Sequence, residues 1–417
     1  MNRLFANFLD RFIQDGQLEI ITSSGHRRLF GNGKRPHVLI RLADRSAQMQ
    51  LLFNAPLRLG ELYMDSRLVI LQGTIYDLLL IVTRNLASQS STRLQKLLSH
   101  ARTPLGPLHQ RNNKNRAKRN VAHHYDLDGR LYDLLLDPDR QYSCAYFEHP
   151  GQTLGDAQLG KKRHIAAKLL VEPGQSILDI GSGWGGLALY MAEYCGADVT
   201  GVTLSEEQLG IARERATQKN MGHAVDFRLQ DYRAVQGRFD RIVSVGMFEH
   251  VGVGYYDTFF SKAAGLLADD GVMLLHSIGS SDGPGVTNPW MAKYIFPGGY
   301  APALSEILPA IERAGLIVTD IEILRLHYAE TLKAWRENFA LHCAEALAIY
   351  DERFCRMWEF YLAGCEAAFR HGGLVVFQIQ LAKRLDAVPL TRNYIANREA
   401  ALRSSETLRP VLQVAGE

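Results

Sequence analysis

Apolar positions along the chain change their rhythm twice. Leu4, Phe5, Phe8, Leu9, Phe12 and Ile13 recur at helical spacing, which predicts an amphipathic helix over 4–13. Alternating segments follow, such as Val38-Leu39-Ile40-Arg41-Leu42 and Arg67-Leu68-Val69-Ile70-Leu71, broken by Gly31, Gly33 and Pro56. The apolar run from Leu78 to Val82 has the length of a strand or of part of a helix. Residues 1–105 therefore read as a small α+β domain without a catalytic cluster. Its opening helix either packs inside that domain or dips into a lipid surface.

Beyond residue 123 strand-like runs alternate with helical ones. The strands fall at 176–180, 197–202, 224–229, 239–245, 272–278 and 317–323, with helices between them at, for example, 205–219 and 255–267. This alternation predicts an α/β fold with a mostly parallel sheet covered on both faces. The interval 331–370 breaks the rhythm with a long helical stretch carrying Trp335, Phe339, Tyr350, Phe354, Trp358, Tyr361 and Phe369. It is either a cover over an apolar substrate or an ordinary packed helix pair. A last strand, 374–379, follows Gly372-Gly373.

Residues 106–122 join the two parts as a basic linker. Arg111, Lys114, Arg116, Lys118 and Arg119 put five positive charges within nine residues and no acid among them. Such a strip is a solvated connector or an attachment to anionic headgroups, where each basic residue contributes about 1 kcal/mol. The run Lys161-Lys162-Arg163 is expected to join it on the same membrane-facing side. No nucleic-acid-binding module accompanies these charges. No apolar stretch reaches the roughly 18 residues of a membrane span, and Asn2, Arg3, Asn7, Asp10 and Arg11 interrupt any signal-peptide core. Cys144, Cys195, Cys343, Cys355 and Cys365 are odd in number and scattered, which suits neither a disulfide framework nor a metal site and points to a reducing cytoplasm.

Candidate chemistry begins where Ile177-Leu178-Asp179-Ile180 runs into Gly181-Ser182-Gly183-Trp184-Gly185-Gly186 and a helix. Glycines let the backbone approach a ligand, and the helix start presents free N–H groups. The pattern also satisfies the dinucleotide fingerprint. A dinucleotide site, however, wants an acid at the end of the next strand to hold the ribose. That strand ends in Val202-Thr203-Leu204-Ser205, and Asp198 sits at its start. Asp179 at the end of the first strand suits instead the ammonium of S-adenosylmethionine.

Five segments in order then resemble the cyclopropane synthase family. They are Tyr142-Ser143-Cys144-Ala145-Tyr146-Phe147, the stretch from Leu178 to Gly186, Ser244-Val245-Gly246-Met247-Phe248-Glu249-His250-Val251-Gly252, Leu274-Leu275-His276-Ser277-Ile278-Gly279, and Lys293-Tyr294-Ile295-Phe296-Pro297-Gly298-Gly299. The resemblance runs from about His123 to Arg384, and the small domain before it is similar to that of the bacterial phospholipid enzymes. It implies a seven-stranded, Rossmann-like class I methyltransferase domain over 123–417, with a helical lid at about 331–370. By this resemblance S-adenosylmethionine contacts Tyr142, Ser143, Asp179, Gly181, Gly183, Gly185, Thr203, Leu204, Gln208, Asp231 and Tyr232. Ser182 stands where the family often has cysteine, a small-for-small change that leaves the loop intact.

The resemblance further implies transfer of a methylene to the cis double bond of unsaturated acyl chains in membrane phospholipid. An alkene is a poor nucleophile, so holding the sulfonium methyl in line with it in a dry pocket is the main contribution. Closing the ring needs a base for one proton of the new methyl group. The family holds a bicarbonate for this, and its ligands match Cys144, Glu249, His276, the backbone N–H of Ile278 and Tyr328. Aromatic faces such as Tyr328 and Phe248 are suited to a developing cation. Cys365 matches a cysteine once suspected of being a nucleophile, a role that sulfonium chemistry does not require; packing in a helix is the other reading. A homodimer bound peripherally to the inner face of a bacterial membrane completes the expectation. Two other readings stay open: a methyl-branched or methylene-bearing product or a soluble acceptor on the same fold, and an inactive lipid-binding protein.

Overall fold

The computed structural model describes residues 1–89 and 128–408. The basic strip at 111–119, and the linker expected at 106–122, lie outside the described residues.

The first unit is a four-stranded sheet of β1 (Gln17–Ile21), β2 (Arg27–Gly31), β3 (His37–Leu42) and β4 (Leu68–Gln72), in the order β2-β1-β3-β4. Alternate residues Leu18, Ile20, Val38, Ile40 and Leu42 form its buried face. The Arg3–Phe12 helix packs into this unit through Phe5, Ala6 and Leu9, leaving Leu4 and Phe8 at the surface. The apolar run at 78–82 lies within the Ile75–Gln89 helix. Pro56 does not end an element. It sits inside the Arg45–Met64 helix, which is kinked at Asn54 because proline lacks the N–H and crowds the preceding turn.

The second sheet has seven strands in the order β10-β11-β9-β8-β5-β6-β7. These are β5 (Ser176–Ile180), β6 (Asp198–Thr203), β7 (Val225–Leu229), β8 (Phe239–Val245), β9 (Leu267–Ser280), β10 (Ile317–Ile323) and β11 (Leu374–Ala382). Only β11 runs against the rest. Ile177, Leu178, Val243 and Met273 to Leu275 are buried because helices cover both faces, so these strands read as apolar runs rather than alternating ones. The parallel direction brings the glycine loop, the Glu249 turn and the His276–Ile278 segment to the same carboxyl edge.

The aromatic stretch is not one helix. It divides into His327–Leu341, Cys343–Ile349 and Glu352–His371, and Asp351 caps the last by accepting from the Phe354 N–H at 2.7 Å. The first and last pack on each other, burying Trp335, Phe339, Trp358, Tyr361 and Phe369. The first unit rests on the Glu352–His371 helix, so its core is continuous with that of the lid. Tyr63 donates to Glu359 at 2.5 Å, Arg353 pairs with Asp65 at 2.8 Å, and Glu61 accepts from Lys293 at 2.6 Å and Tyr294 at 2.9 Å.

The Lys161-Lys162-Arg163 run does not face a membrane. It is buried within the Leu154–Leu169 helix, between the sheet and the Asn393–Leu408 helix. Lys162 pairs with Asp139 at 2.6 Å, and Arg163 binds Glu148 at 3.0 Å and Glu406 at 2.5 Å. A local run of basic residues cannot reveal partners that arrive from more than 200 positions away.

Candidate active site

Above the carboxyl ends of β5, β6 and β8 lies a pocket whose floor is the glycine loop. Gly181, Gly183 and Gly185 have φ of 88, 54 and 84°, conformations that disfavour any side chain. The Gly181 and Ser182 N–H groups donate to the Val202 carbonyl at 2.9 and 3.1 Å, fixing the turn against β6. Tyr142, Ser143, Asp179, Gly181, Gly183, Thr203, Leu204, Gln208, Asp231 and Tyr232 all line the pocket. Gly185 does not. A Cβ there would meet Phe227 at 2.5 Å and Ala212 at 3.1 Å, so this glycine permits close packing of the following helix. Asp198, which a dinucleotide would need at the site, starts β6 at the opposite edge.

Polar partners hold the lining in place. Thr203 Oγ1 donates to Gln208 Oε1 at 3.1 Å, and Ser205 caps the next helix by accepting from the Gln208 N–H at 3.2 Å. Asp231 pairs with Arg233 at 2.6 Å. Tyr142 stacks on Trp335 at 5.0 Å, and its hydroxyl lies 2.9 Å from that of Tyr361, linking the pocket to the lid. Lys161, Arg140, Gln230 and His250 also line the pocket and belong to none of the matching residues named above. Lys161 was hidden in its basic run. His250 follows Glu249 in the turn after β8, and burial pushes its imidazole down to about 4.

Among the described residues Asp179 is buried without an ion-pair partner, and burial pushes its carboxyl up to about 7 although Lys161 pulls the other way. A buried carboxyl that a cation would hold in its ionised form fits the ammonium of S-adenosylmethionine, as does the Ser182 Oγ beside it, unpartnered among the described residues. Because the group is largely protonated below pH 7, affinity for S-adenosylhomocysteine is expected to fall with acidification below about pH 7, by up to roughly tenfold per unit. Calorimetry across pH 5.5 to 8, compared with Asp179→Asn, would show whether that slope belongs to Asp179.

The residues matched to an anion site do not line this pocket but adjoin it in sequence: Cys144 follows Ser143, and Glu249 precedes His250. Glu249 sits in a 3₁₀ turn after β8, and its Oε1 accepts from the Ile278 N–H at 2.6 Å. Its Oε2 is buried with no hydrogen-bond partner among the described residues, and burial pushes the carboxyl up to about 7 although the Ile278 N–H and the Ser277 hydroxyl pull the other way. His276 faces Gln378 across the β9–β11 register, with Gln378 Nε2 3.2 Å from Nδ1. Burial pushes the imidazole down to about 3, so the ring is neutral. With Nδ1 accepting, its proton belongs on Nε2.

Tyr328, in the first turn of the His327–Leu341 helix, packs against Phe369 at 4.7 Å and Trp335 at 5.8 Å. The same helix fixes the Cys144 segment. Thr331 Oγ1 accepts from the Ala145 N–H at 3.0 Å, and Tyr146 stacks between His164 and His327 at 4.2 and 4.9 Å. Cys144 donates to the Ala145 carbonyl at 3.3 Å, and burial pushes its thiol well up. Cys365 lies on the Glu352–His371 helix. Burial pushes its thiol up to about 12 with no charge beside it to offset, so it remains a thiol at neutral pH.

Comparison with known proteins bears on the family and the fold. Residues 112–379 match the family model described as mycolic acid cyclopropane synthetase. A probable fatty acid methyltransferase of Pseudomonas putida is 37% identical over 361 residues, covering 85% of this chain and 89% of its own length. The cyclopropane-fatty-acyl-phospholipid synthase of Escherichia coli K12 is 43% identical over 263 residues, 63% of this chain and 67% of that one. The crystal structure of mycolic acid cyclopropane synthase CmaA1 complexed with SAH and CTAB superposes with a TM-score of 0.60 at 34% identity, covering 63% of this chain and 97% of the other. With the family match spanning well over half the chain, this protein belongs to the mycolic acid cyclopropane synthetase family of S-adenosylmethionine-dependent methyltransferases.

Proposed function

We propose that the enzyme adds a methylene from S-adenosylmethionine to the cis double bond of unsaturated acyl chains in membrane phospholipid and closes a cyclopropane ring, with bicarbonate as general base. The observation that carries this reading is Glu249. It is a buried carboxylate with one oxygen on the Ile278 N–H and the other unpartnered, a vacant acceptor suited to the hydroxyl of an acid anion. The phospholipid substrate is supported by the activity named for the Escherichia coli relative.

When bound, S-adenosylmethionine supplies an electrophilic methyl, and bicarbonate supplies a base for the proton lost on ring closure. The chain's residues do the rest. Asp179 and the glycine loop orient the methyl donor; Cys144, Glu249, His276, Ile278 and Tyr328 hold the anion; neutral His276 donates from Nε2. The buried aromatic lid excludes water, and Tyr328 presents a ring face to developing positive charge. Cys365 packs the lid. The catalytic domain at 123–417, joined through 106–122 to the domain at 1–105, works as a homodimer on the inner face of a bacterial membrane. Leu4, Phe8 and Phe53, exposed on the first two helices, support lipid contact by the first domain. Among the described residues no helix is long and apolar enough to cross a membrane.

A second reading keeps the fold and donor but yields a methyl-branched acid. The Pseudomonas relative favours it, since it matches nearly end to end and is named for fatty acid methylation. Mass spectrometry of lipids incubated with enzyme, S-adenosylmethionine and vesicles of unsaturated phospholipid, with and without bicarbonate, separates the two. Gain of one CH2 with loss of the double bond, enhanced by bicarbonate, is expected. Gain of CH2 with the alkene retained would assign the enzyme to the branching class, and no change would redirect it to soluble acceptors.

A further inference from the structure

The Leu154–Leu169 helix buries three lysines, and they are not alike. Lys162 pairs with Asp139, and Lys168 with Glu322. Lys161 has no exposure at all, yet among the described residues its Nζ touches only neutral acceptors, Gln141 Oε1 at 2.6 Å and Ser143 Oγ at 2.8 Å. Among the described residues no carboxylate reaches it within salt-bridge distance. A fully buried ammonium without a carboxylate is rare, because desolvation is costly unless the charge is paired. An ammonium has three N–H donors and these two contacts use two.

The same pocket holds a group of opposite charge that is equally without an ion pair among the described residues. Asp179 also lines it, is also buried, and makes no ion pair with Lys161. A buried anion and a buried cation kept apart in one cavity form a receptor for a zwitterion. The methionine end of the cofactor is one, carrying its ammonium and carboxylate on a single carbon.

We propose that Lys161 receives the cofactor's α-carboxylate through its remaining N–H, while Asp179 receives the ammonium. This deepens the S-adenosylmethionine reading and rests on it. Lys161 also seats Gln141 and Ser143, so loss of affinity in a variant is insufficient proof. The ligand must be altered too.

Calorimetry on the full chain would compare S-adenosylhomocysteine with its decarboxylated analogue, which keeps the amine and loses the carboxylate. Wild type is expected to bind the analogue about 10- to 100-fold more weakly, the range of a charge-assisted hydrogen bond. In Lys161→Met the affinity for S-adenosylhomocysteine should fall by a similar factor and the discrimination should collapse toward one. Equal weakening of both ligands, or no weakening of either, would overturn the proposal and leave Lys161 a purely structural role. If the variant does not fold, wild type still decides: equal affinity for the two ligands overturns the proposal. Failure of wild type to bind S-adenosylhomocysteine at all would instead refute the cofactor reading on which it stands.

Discussion

Glu249→Gln is expected to lower cyclopropane formation by about 10²- to 10⁴-fold, the usual contribution of positioned acid–base groups, while S-adenosylhomocysteine binds as before. Glutamine keeps the size of the side chain, and its carbonyl still accepts from the Ile278 N–H. Only the second oxygen changes, from a vacant acceptor into an NH2 donor, and a hydroxyl-bearing anion placed against it meets a donor instead of an acceptor. The cofactor pocket is lined by other residues and is untouched. Gas chromatography of the product esters with calorimetry of binding tests both halves. Full ring-forming activity would remove Glu249 from the anion site.

Stability offers a second readout with a definite sign. The Glu249 carboxyl in the folded chain titrates near 7, above its ordinary 4.5, because burial disfavours the charge. The folded state therefore binds the proton more tightly than the unfolded state. That contribution is fully present below about pH 4.5 and is lost as pH rises through about 7, a loss of about 3 kcal/mol by pH 8. A glutamine at this position has no proton to lose and carries no such penalty. The Glu249→Gln variant should therefore melt above wild type at pH 8 and lose that advantage near pH 5.

What the sequence could convey follows from where each signal arises. All seven strands of the large sheet were legible within a few residues: β5 is largely apolar, β8 carries Ile242, Val243 and Val245, and β10 keeps Ile317, Val318, Ile321 and Ile323 among its polar positions. The start of β9 was not: Asp269-Asp270-Gly271 carries no apolar pattern and falls in the irregular stretch between the Phe239–Leu267 and Arg241–Val272 pairings. The glycine loop was legible because its chemistry is local. Gly185 shows the limit, for its motif position says ligand while its missing Cβ makes room for Phe227. The breaks in the aromatic stretch at His342 and Asp351 carry no proline or glycine. The burial of Lys161-Lys162-Arg163 depends on carboxylates supplied by remote segments, which no local pattern encodes. Pairings such as Ile278 with Glu249 and Gln378 with His276 exist only after β8, β9 and β11 align.

The other large effect is expected at Trp290, remote from the chemistry. This residue lies in the first turn of the Pro289–Tyr294 helix, which Asn288 caps by accepting from the Trp290 N–H at 2.9 Å. Its ring is buried between Gly60 of the first unit and Phe360 of the lid, the latter at 4.6 Å, and a Cβ on Gly60 would collide with it. Trp290→Ala should cost about 3–5 kcal/mol, since a cavity that large at the meeting of three helices cannot close without moving one of them. The short helix continues into Phe296, whose ring lies 5.9 Å from Tyr361 and 6.1 Å from His250. Unseating it should disturb the lid while the glycine loop stays intact. Denaturant unfolding should therefore show the stability loss, and lipid turnover should fall with S-adenosylhomocysteine affinity retained. Turnover and affinity lost together would mean that the cofactor pocket depends on this contact as well. A loss below about 1 kcal/mol would mean that the first unit is held on the lid chiefly by the polar contacts of Glu61, Asp65 and Glu359.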